Sequence, residues 1–155
     1  MMPFVAKIEA RAYSRATEVS ERVVTAILNL YPVEFRDSVG FETTKVQGQS
    51  GDDIIIVVST LEDRTGSEAT LDYIFKKFEE RDYRLLLNSL SRRLEKGCTF
   101  FIRIDKQEAF LDNIVLARGP DVISIQFHLQ QYPRCKPEEA LKMLEDRLHA
   151  AGGDN

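Results

Sequence analysis

The sequence predicts an α+β fold, a mostly antiparallel sheet with helices packed on one face. Three observations lead to this prediction. Segments that alternate between apolar and polar residues lie near both ends of the chain, segments with helical apolar spacing separate them, and two β-branched segments flank a glycine-containing turn. The chain has 155 residues, enough for one ordinary core, so we expect a single domain over 1–150 and a flexible tail over 151–155.

The first half of the chain predicts a strand, a helix and a hairpin. Alternation from Phe4 to Tyr13 is typical of a half-buried strand. Thr17 is suited to the N-cap of a helix that Pro32 ends. Two strands at 41–46 and 54–61 flank a turn at 48–53, which predicts a β-hairpin.

Two helices are expected next. Ser67 is suited to cap the first, whose apolar residues Leu71, Ile74, Phe75 and Phe78 recur at helical spacing. The second begins at about Asp82, presents Leu86, Leu90 and Leu94 along one stripe, and ends at Gly97.

The last third predicts three strands and a helix. The strands are expected at 99–104, from Phe110 onward, and at 122–129, where the alternation is cleanest. Pro137 suits the first position of a final helix that reaches about Ala150. The uncovered face of the sheet would then be polar, with Lys7, Arg11, Ser124, Gln126 and His128.

Basic residues are concentrated in one segment of an acidic protein. The formal net charge is −4, yet the segment from Lys76 to Lys106 has nine basic and five acidic side chains. Such a segment can form an anion-binding face on an acidic body, or it can be the solvated surface of two ordinary helices.

The cysteine and histidine content predicts neither a disulfide framework nor a metal site. Cys98 and Cys135 are the only cysteines, and neither they nor His128 and His149 have the spacing of a zinc site. We therefore expect no cofactor. A reducing, cytoplasmic location is expected, because no segment has the pattern of a secretion signal or a membrane span.

Catalytic motifs are not found, so the sequence predicts a protein that is not an enzyme. It contains no nucleophile elbow, Walker loop or dinucleotide-binding glycine motif. The carboxylate pairs Asp105/Glu108 and Asp52/Asp53 could serve acid–base chemistry, but such turn residues usually bind backbone N–H groups.

Nucleic-acid binding is the chemistry that the basic segment favours. Phe101 and Arg103 point to the same side of a strand, where an exposed ring could stack on an unpaired base. Phe101 could instead be buried under a helix, and Arg92 and Arg93 could simply complement a helix dipole. The candidate RNA-binding residues are Arg81, Arg84, Arg92, Arg93, Lys96, Arg103, Lys106 and Gln107.

The segment Ile102–Leu111 resembles a known family. It contains Arg103, the run Asp105-Lys106-Gln107, Ala109 and then Phe110-Leu111. This is similar to the "R-x-D-K-Q-x-A-[FY]-L" signature of archaeal predicted RNA-binding, exosome-associated proteins, and the similarity extends over residues 4–129. A sister archaeal family has a related "N-K-Q-x-A-F" turn. The resemblance implies a fold like that of the large-subunit ribosomal protein that binds 5S rRNA, and a role in RNA processing.

The same segment has a physical interpretation as a turn. Asp105 can accept hydrogen bonds from backbone N–H groups two or three residues later. Lys106 and Gln107 would lie at an exposed tip, and Ala109 would let Phe110 and Leu111 return to the core. We therefore expect Lys106 and Gln107, with Arg103, to be free to bind a ligand.

Two functional hypotheses follow. The first is a non-enzymatic RNA-binding protein, for which the resemblance implies a role as an accessory factor of RNA processing or the exosome, with a protein partner in that complex. The alternative is a protein–protein interaction module or homodimer that makes no direct RNA contact.

Overall fold

The computed structural model describes residues 2–15, 18–48, 51–96 and 98–152. Six strands and five α-helices follow the order β1, α1, β2, β3, α2, α3, β4, β5, α4, β6, α5. The strands are β1 Phe4–Arg15, β2 Gly40–Gln47, β3 Asp53–Leu61, β4 Leu94–Glu95, β5 Thr99–Asp105 and β6 Val122–Gln130. The helices are α1 Ser20–Leu28, α2 Arg64–Lys77, α3 Glu80–Ser89, α4 Lys106–Phe110 and α5 Pro137–Gly152.

The strands form one antiparallel sheet in the order β2-β3-β1-β6-β5-β4. β1 lies inside the sheet, and Ala10 faces Ser59 of β3 on one side and Ile125 of β6 on the other. β2 is a long edge strand. At the opposite edge, the two-residue β4 and the segment 115–117 together cover β5. The α+β prediction is confirmed.

The helices cover one face of the sheet and enclose the core. Alternate residues of β1, β5 and β6 point into it, among them Ile8, Phe100 and Phe127, each at most 1% exposed. Within the helical layer, Arg147 joins α5 to α2, because its guanidinium binds Asp72 and Glu68 of α2 at 2.8 Å. The alternate side chains on the other side of all five longer strands form a surface that we call the open face, with Glu42 of β2, Ile56 of β3, Arg11 of β1, Gln126 of β6 and Arg103 of β5 among its residues.

Three helix boundaries differ from the prediction, and the first is that α1 ends at Leu28 rather than at Pro32. Asp63, not Ser67, caps α2: its carboxylate accepts a hydrogen bond from Gly66 N at 2.9 Å. Ser67 lies buried in the first turn and donates to Leu61 O. α3 ends at Ser89, so Leu94 belongs to β4 rather than to the helical stripe. The predicted cap Thr17, helix end Gly97 and turn residues 49–50 lie outside the described residues.

The strand predicted from Phe110 does not form. The chain instead makes the short helix α4 and then a segment whose one bridge joins Leu116 to Ile104. Asp105 explains the difference, because its side chain accepts from Glu108 N at 2.9 Å and so begins a helical turn. Leu111 is 63% exposed, so it does not return to the core as expected.

The two cysteines are paired, although the sequence predicted no disulfide framework. Cys98, the residue before β5, forms a disulfide with Cys135 in the segment between β6 and α5, and their Cα atoms are 6.2 Å apart. The pairing follows from the sheet, since Leu129 N of β6 donates to Cys98 O and brings the two segments together.

Candidate nucleic-acid interface

The open face places polar and aromatic side chains from three adjacent strands side by side. Arg11 of β1 lies opposite Ser124 of β6, which lies opposite Arg103 of β5. The next row has the same order of strands and consists of Glu9, Gln126 and Phe101. Neighbouring strands are about 4.8 Å apart, so each row spans about 10 Å.

A cavity of about 300 Å³ lies over these two rows. Its lining combines two cations, one carboxylate, two neutral polar side chains and an aromatic ring. Arg11 and Arg103 are exposed, and among the described residues neither guanidinium has a hydrogen bond or ion pair. The cavity therefore presents unneutralised positive charge beside an aromatic surface.

Phe101 lies on the open face, which decides between its two predicted positions. Its neighbours Phe100 and Ile102 point into the core and are fully buried, whereas Phe101 is half-buried at the cavity. Tyr13 is a second aromatic side chain on this face and is 51% exposed. Tyr13 lies two strands away from Phe101 and four residues further along the strand direction, which gives a separation of about 17 Å.

The helix arginines lie away from this surface. α3 carries Arg81 and Arg84 in the helical layer, on the opposite side of the sheet from Arg103. Arg84 is paired with Glu80 at 2.7 Å in an exposed i,i+4 contact. The basic segment predicted from sequence therefore does not form one surface.

The predicted cations at the end of α3 lie at the edge of the sheet. Arg92 and Arg93 form a short 3₁₀ turn before β4, and Lys96 follows β4 with a φ of 48°. Arg93 is half-buried and donates to Ser89 Oγ at 2.8 Å. Burial and the charge of Arg92 lower the pKa of Arg93.

Lys106 is buried, so the prediction that it lies at an exposed tip is wrong. It is 3% exposed, and its ammonium donates to Tyr13 O at 2.7 Å and binds the carboxylates of Glu18 at 2.9 Å and Asp121 at 2.8 Å. These three contacts join the end of β1 to the start of α4 and to the residue before β6. Lys106 has no donor left for a phosphate.

Gln107 is exposed but is also held by Asp121. Its amide donates to the Asp121 carboxylate at 2.8 Å. Burial alone would raise the pKa of Asp121, but hydrogen bonds from Gln107 and Lys106 and the charges of Lys106 and Arg15 outweigh it and lower that pKa. Of the predicted motif residues, Arg103 alone has an unpaired cationic side chain in the described structure.

Arg11 and Tyr13 are not among the RNA-binding residues predicted from the sequence. The signal that could have found them is the alternation of β1, which places both on the polar side of the strand. Arg11 lies outside the basic segment, so a count of charge along the chain does not bring it together with Arg103. The pairing of both strands with β6 does so.

Other kinds of site are not found in the part of the chain that the structure describes. Within 2–15, 18–48, 51–96 and 98–152, three or more His, Cys, Asp or Glu side chains do not come together as a possible metal site. In the same residues we find no helix with the length and apolar character needed to cross a membrane.

These observations define a class of protein: an α+β domain with an uncovered sheet face that carries cations and aromatic rings. Residues 7–129 match the family model described as RNA binding, and the chain belongs to that family.

Three similar proteins come from archaea. RNA-binding protein PAB1135 of Pyrococcus abyssi is 28% identical over 142 residues, which cover 91% of this chain and 92% of that protein. The uncharacterised protein MJ0213 of Methanocaldococcus jannaschii is 28% identical over 149 residues, covering 91% and 96%. The structure of Mth689, a DUF54 protein of Methanothermobacter thermautotrophicus, has the same fold, with a TM-score of 0.75, 23% identity, and coverage of 93% and 98%.

Proposed function

We propose that this protein is not an enzyme and binds an unpaired segment of RNA on the open face. The observation that carries the proposal is the pair of guanidinium groups of Arg11 and Arg103, which have no partner among the described residues and lie beside the half-buried ring of Phe101. Cations that follow a phosphate backbone, together with aromatic rings on which bases stack, are the two components of single-strand binding surfaces. Family membership and the name of the Pyrococcus relative support an RNA ligand.

The two aromatic side chains suggest the path of the strand. Phe101 and Tyr13 are about 17 Å apart on a diagonal across β5, β6 and β1, and Ser124, directly opposite Arg11, lies at its midpoint. Single-strand sites on OB folds, another class of β-sheet nucleic-acid binder, begin at about four nucleotides. A short oligonucleotide is therefore sufficient to contact the whole surface.

Fluorescence anisotropy with a labelled nonamer of unstructured RNA, measured over a series of salt concentrations, tests the proposal. Phe101→Ala is expected to cost about 1–3 kcal/mol of binding free energy, the range found for one base–aromatic stack. Arg11→Gln and Arg103→Gln should each lower the slope of log affinity against log salt by about 0.7, the value for one phosphate contact on a single strand.

Arg84→Gln is the matched control, because it removes the same charge from the helical layer. It should leave both affinity and slope unchanged. Arg92→Glu with Arg93→Glu tests the candidate surface at the end of α3. If these two changes abolish binding while Phe101→Ala has no effect, the RNA lies at that edge and the open-face proposal is wrong.

We also propose that the RNA-binding activity serves RNA processing in the cytoplasm, as an accessory factor of the exosome or of another processing complex. This proposal rests on the resemblance of Ile102–Leu111 to the exosome-associated signature. Co-purification of the tagged protein from its native host tests it. Recovery of exosome subunits after ribonuclease treatment would indicate a protein contact, and recovery that needs intact RNA would indicate association through RNA alone.

A protein-interaction role is favoured by the other half of the open face. On β3 this half carries Ile54, Ile56 and Val58, next to the exposed Val46 of β2. Such an apolar surface suits a protein contact better than a phosphate backbone. Sedimentation velocity tests the alternative, since a homodimer that uses this half should become monomeric when Ile56 is changed to Lys.

A further inference from the structure

Glu9 is the one carboxylate among the residues that line the cavity on the open face. Its position is unfavourable for backbone binding, because a carboxylate repels a phosphate. It also has little intramolecular use: in the described residues its one ionic neighbour is His128, whose Nε2 is 4.0 Å away, beyond hydrogen-bonding distance. Both carboxylate oxygens are thus available to accept hydrogen bonds from a ligand.

We propose that Glu9 makes this cavity selective for guanine, an inference that rests on the RNA-binding function proposed above. Guanine is the RNA base that presents two adjacent donors, N1–H and the N2 amino group, on its Watson–Crick edge. A carboxylate can accept both. Uracil presents one donor between two carbonyl oxygens, which the carboxylate repels, and adenine and cytosine each present one amino group beside an acceptor nitrogen.

The row Phe101–Gln126–Glu9 has the order that such a base requires. A base stacked on Phe101 lies over the cavity with its edge directed along the row towards β1. Gln126 lies between the ring and the carboxylate, and its amide N–H can donate to guanine O6. Directly opposite side chains are about 5 Å apart at Cβ, so Gln126 and Glu9 can contact neighbouring groups of one base edge.

The surrounding charges agree with this assignment. Arg11 and Arg103 occupy the adjacent row, since each is two residues further along its strand than Glu9 and Phe101. From there they can bind the phosphates that flank the base. Phosphate contacts fix the strand on the surface but carry no sequence information. The polar side chains of the other row, Gln126 and Glu9, then select among bases.

The test compares three fluorescein-labelled nonamers by anisotropy: oligouridine, the same strand with one central guanosine, and the same strand with one central inosine. Inosine differs from guanosine by loss of the N2 amino group alone. The wild-type protein should bind the guanosine strand about tenfold more tightly than either of the others, the lower end for a bidentate contact to a base. Glu9→Gln should abolish the preference and leave the binding of oligouridine in place.

Glu42→Gln is the matched control, since Glu42 lies on the same face in the edge strand β2 and is exposed. It should keep the guanosine preference. If the wild type binds all three strands equally, or if Glu9→Gln keeps the preference, base selection is refuted while RNA binding stands. If none of the three strands binds at low salt, the proposed function itself fails.

Discussion

Replacement of Lys106 by Met is expected to destabilise the fold without weakening RNA binding. Loss of one partner from a fully buried ion pair costs about 3–5 kcal/mol. Glu18 and Asp121 are 25% and 49% exposed, so their carboxylates regain part of their hydration and the cost falls to about 2–3 kcal/mol. In a chain of this size each kcal/mol lowers the melting temperature by about 2–4 °C, which predicts a decrease of about 5–10 °C.

Thermal melts followed by circular dichroism measure this change, and Lys142→Met is the control. Lys142 forms an exposed i,i+4 contact with Asp146 at 3.7 Å, a kind of pair that contributes about 0.5 kcal/mol or less. RNA titrations at a temperature where Lys106→Met is folded should give the wild-type salt slope. A variant that melts like the wild type would refute the structural role, and a slope that falls by about 0.7 would show that Lys106 contacts a phosphate.

Three further outcomes are expected. Because the pKa of Asp121 is lowered, its carboxylate contributes stability above about pH 4, and this contribution is lost as the pH falls through the pKa of the folded state. The free energy of unfolding of Asp121→Asn in urea should therefore change less with pH in this range than that of the wild type. Burial raises the pKa of Tyr31 to about 12, although the hydrogen bond between its hydroxyl and Ser59 acts in the opposite direction. The stability that the neutral hydroxyl contributes below about pH 10 should therefore be lost as the pH rises to 12, and Tyr31→Phe should reduce this loss. The disulfide closes a separation of 37 residues, so Cys135→Ser should cost about 4 kcal/mol by the chain-entropy relation, and a reducing agent should have no effect on that variant's melt.

The sheet could be predicted because its signal is local. Alternation at period two identifies β1 and β6 directly, and the same alternation assigns Arg11, Gln126 and Phe101 to one side of their strands. What a single sequence does not contain is the order of the strands. The juxtaposition of Arg11 with Arg103 depends on β6 pairing with both β1 and β5.

The sequence predictions are wrong at positions whose structure depends on residues far away in the chain. Lys106 follows a polar turn residue and looks exposed in the sequence, but its partners Tyr13 and Glu18 are 93 and 88 residues away. The side chain of Asp105 was correctly expected to bind a backbone N–H group. An Asx turn and a helix N-cap share that hydrogen bond, so the local pattern did not distinguish a hairpin tip from the start of α4.

The two edges of the sheet differ, and this limits how copies of the protein can associate. One edge is closed by β4 and residues 115–117, while β2 leaves eight residues of strand uncovered. Two copies joined antiparallel through β2 would use the same edge on each side, and neither would have a second long edge to offer. Association by strand addition through β2 would therefore stop at a two-fold dimer of twelve strands and would not continue into a fibre.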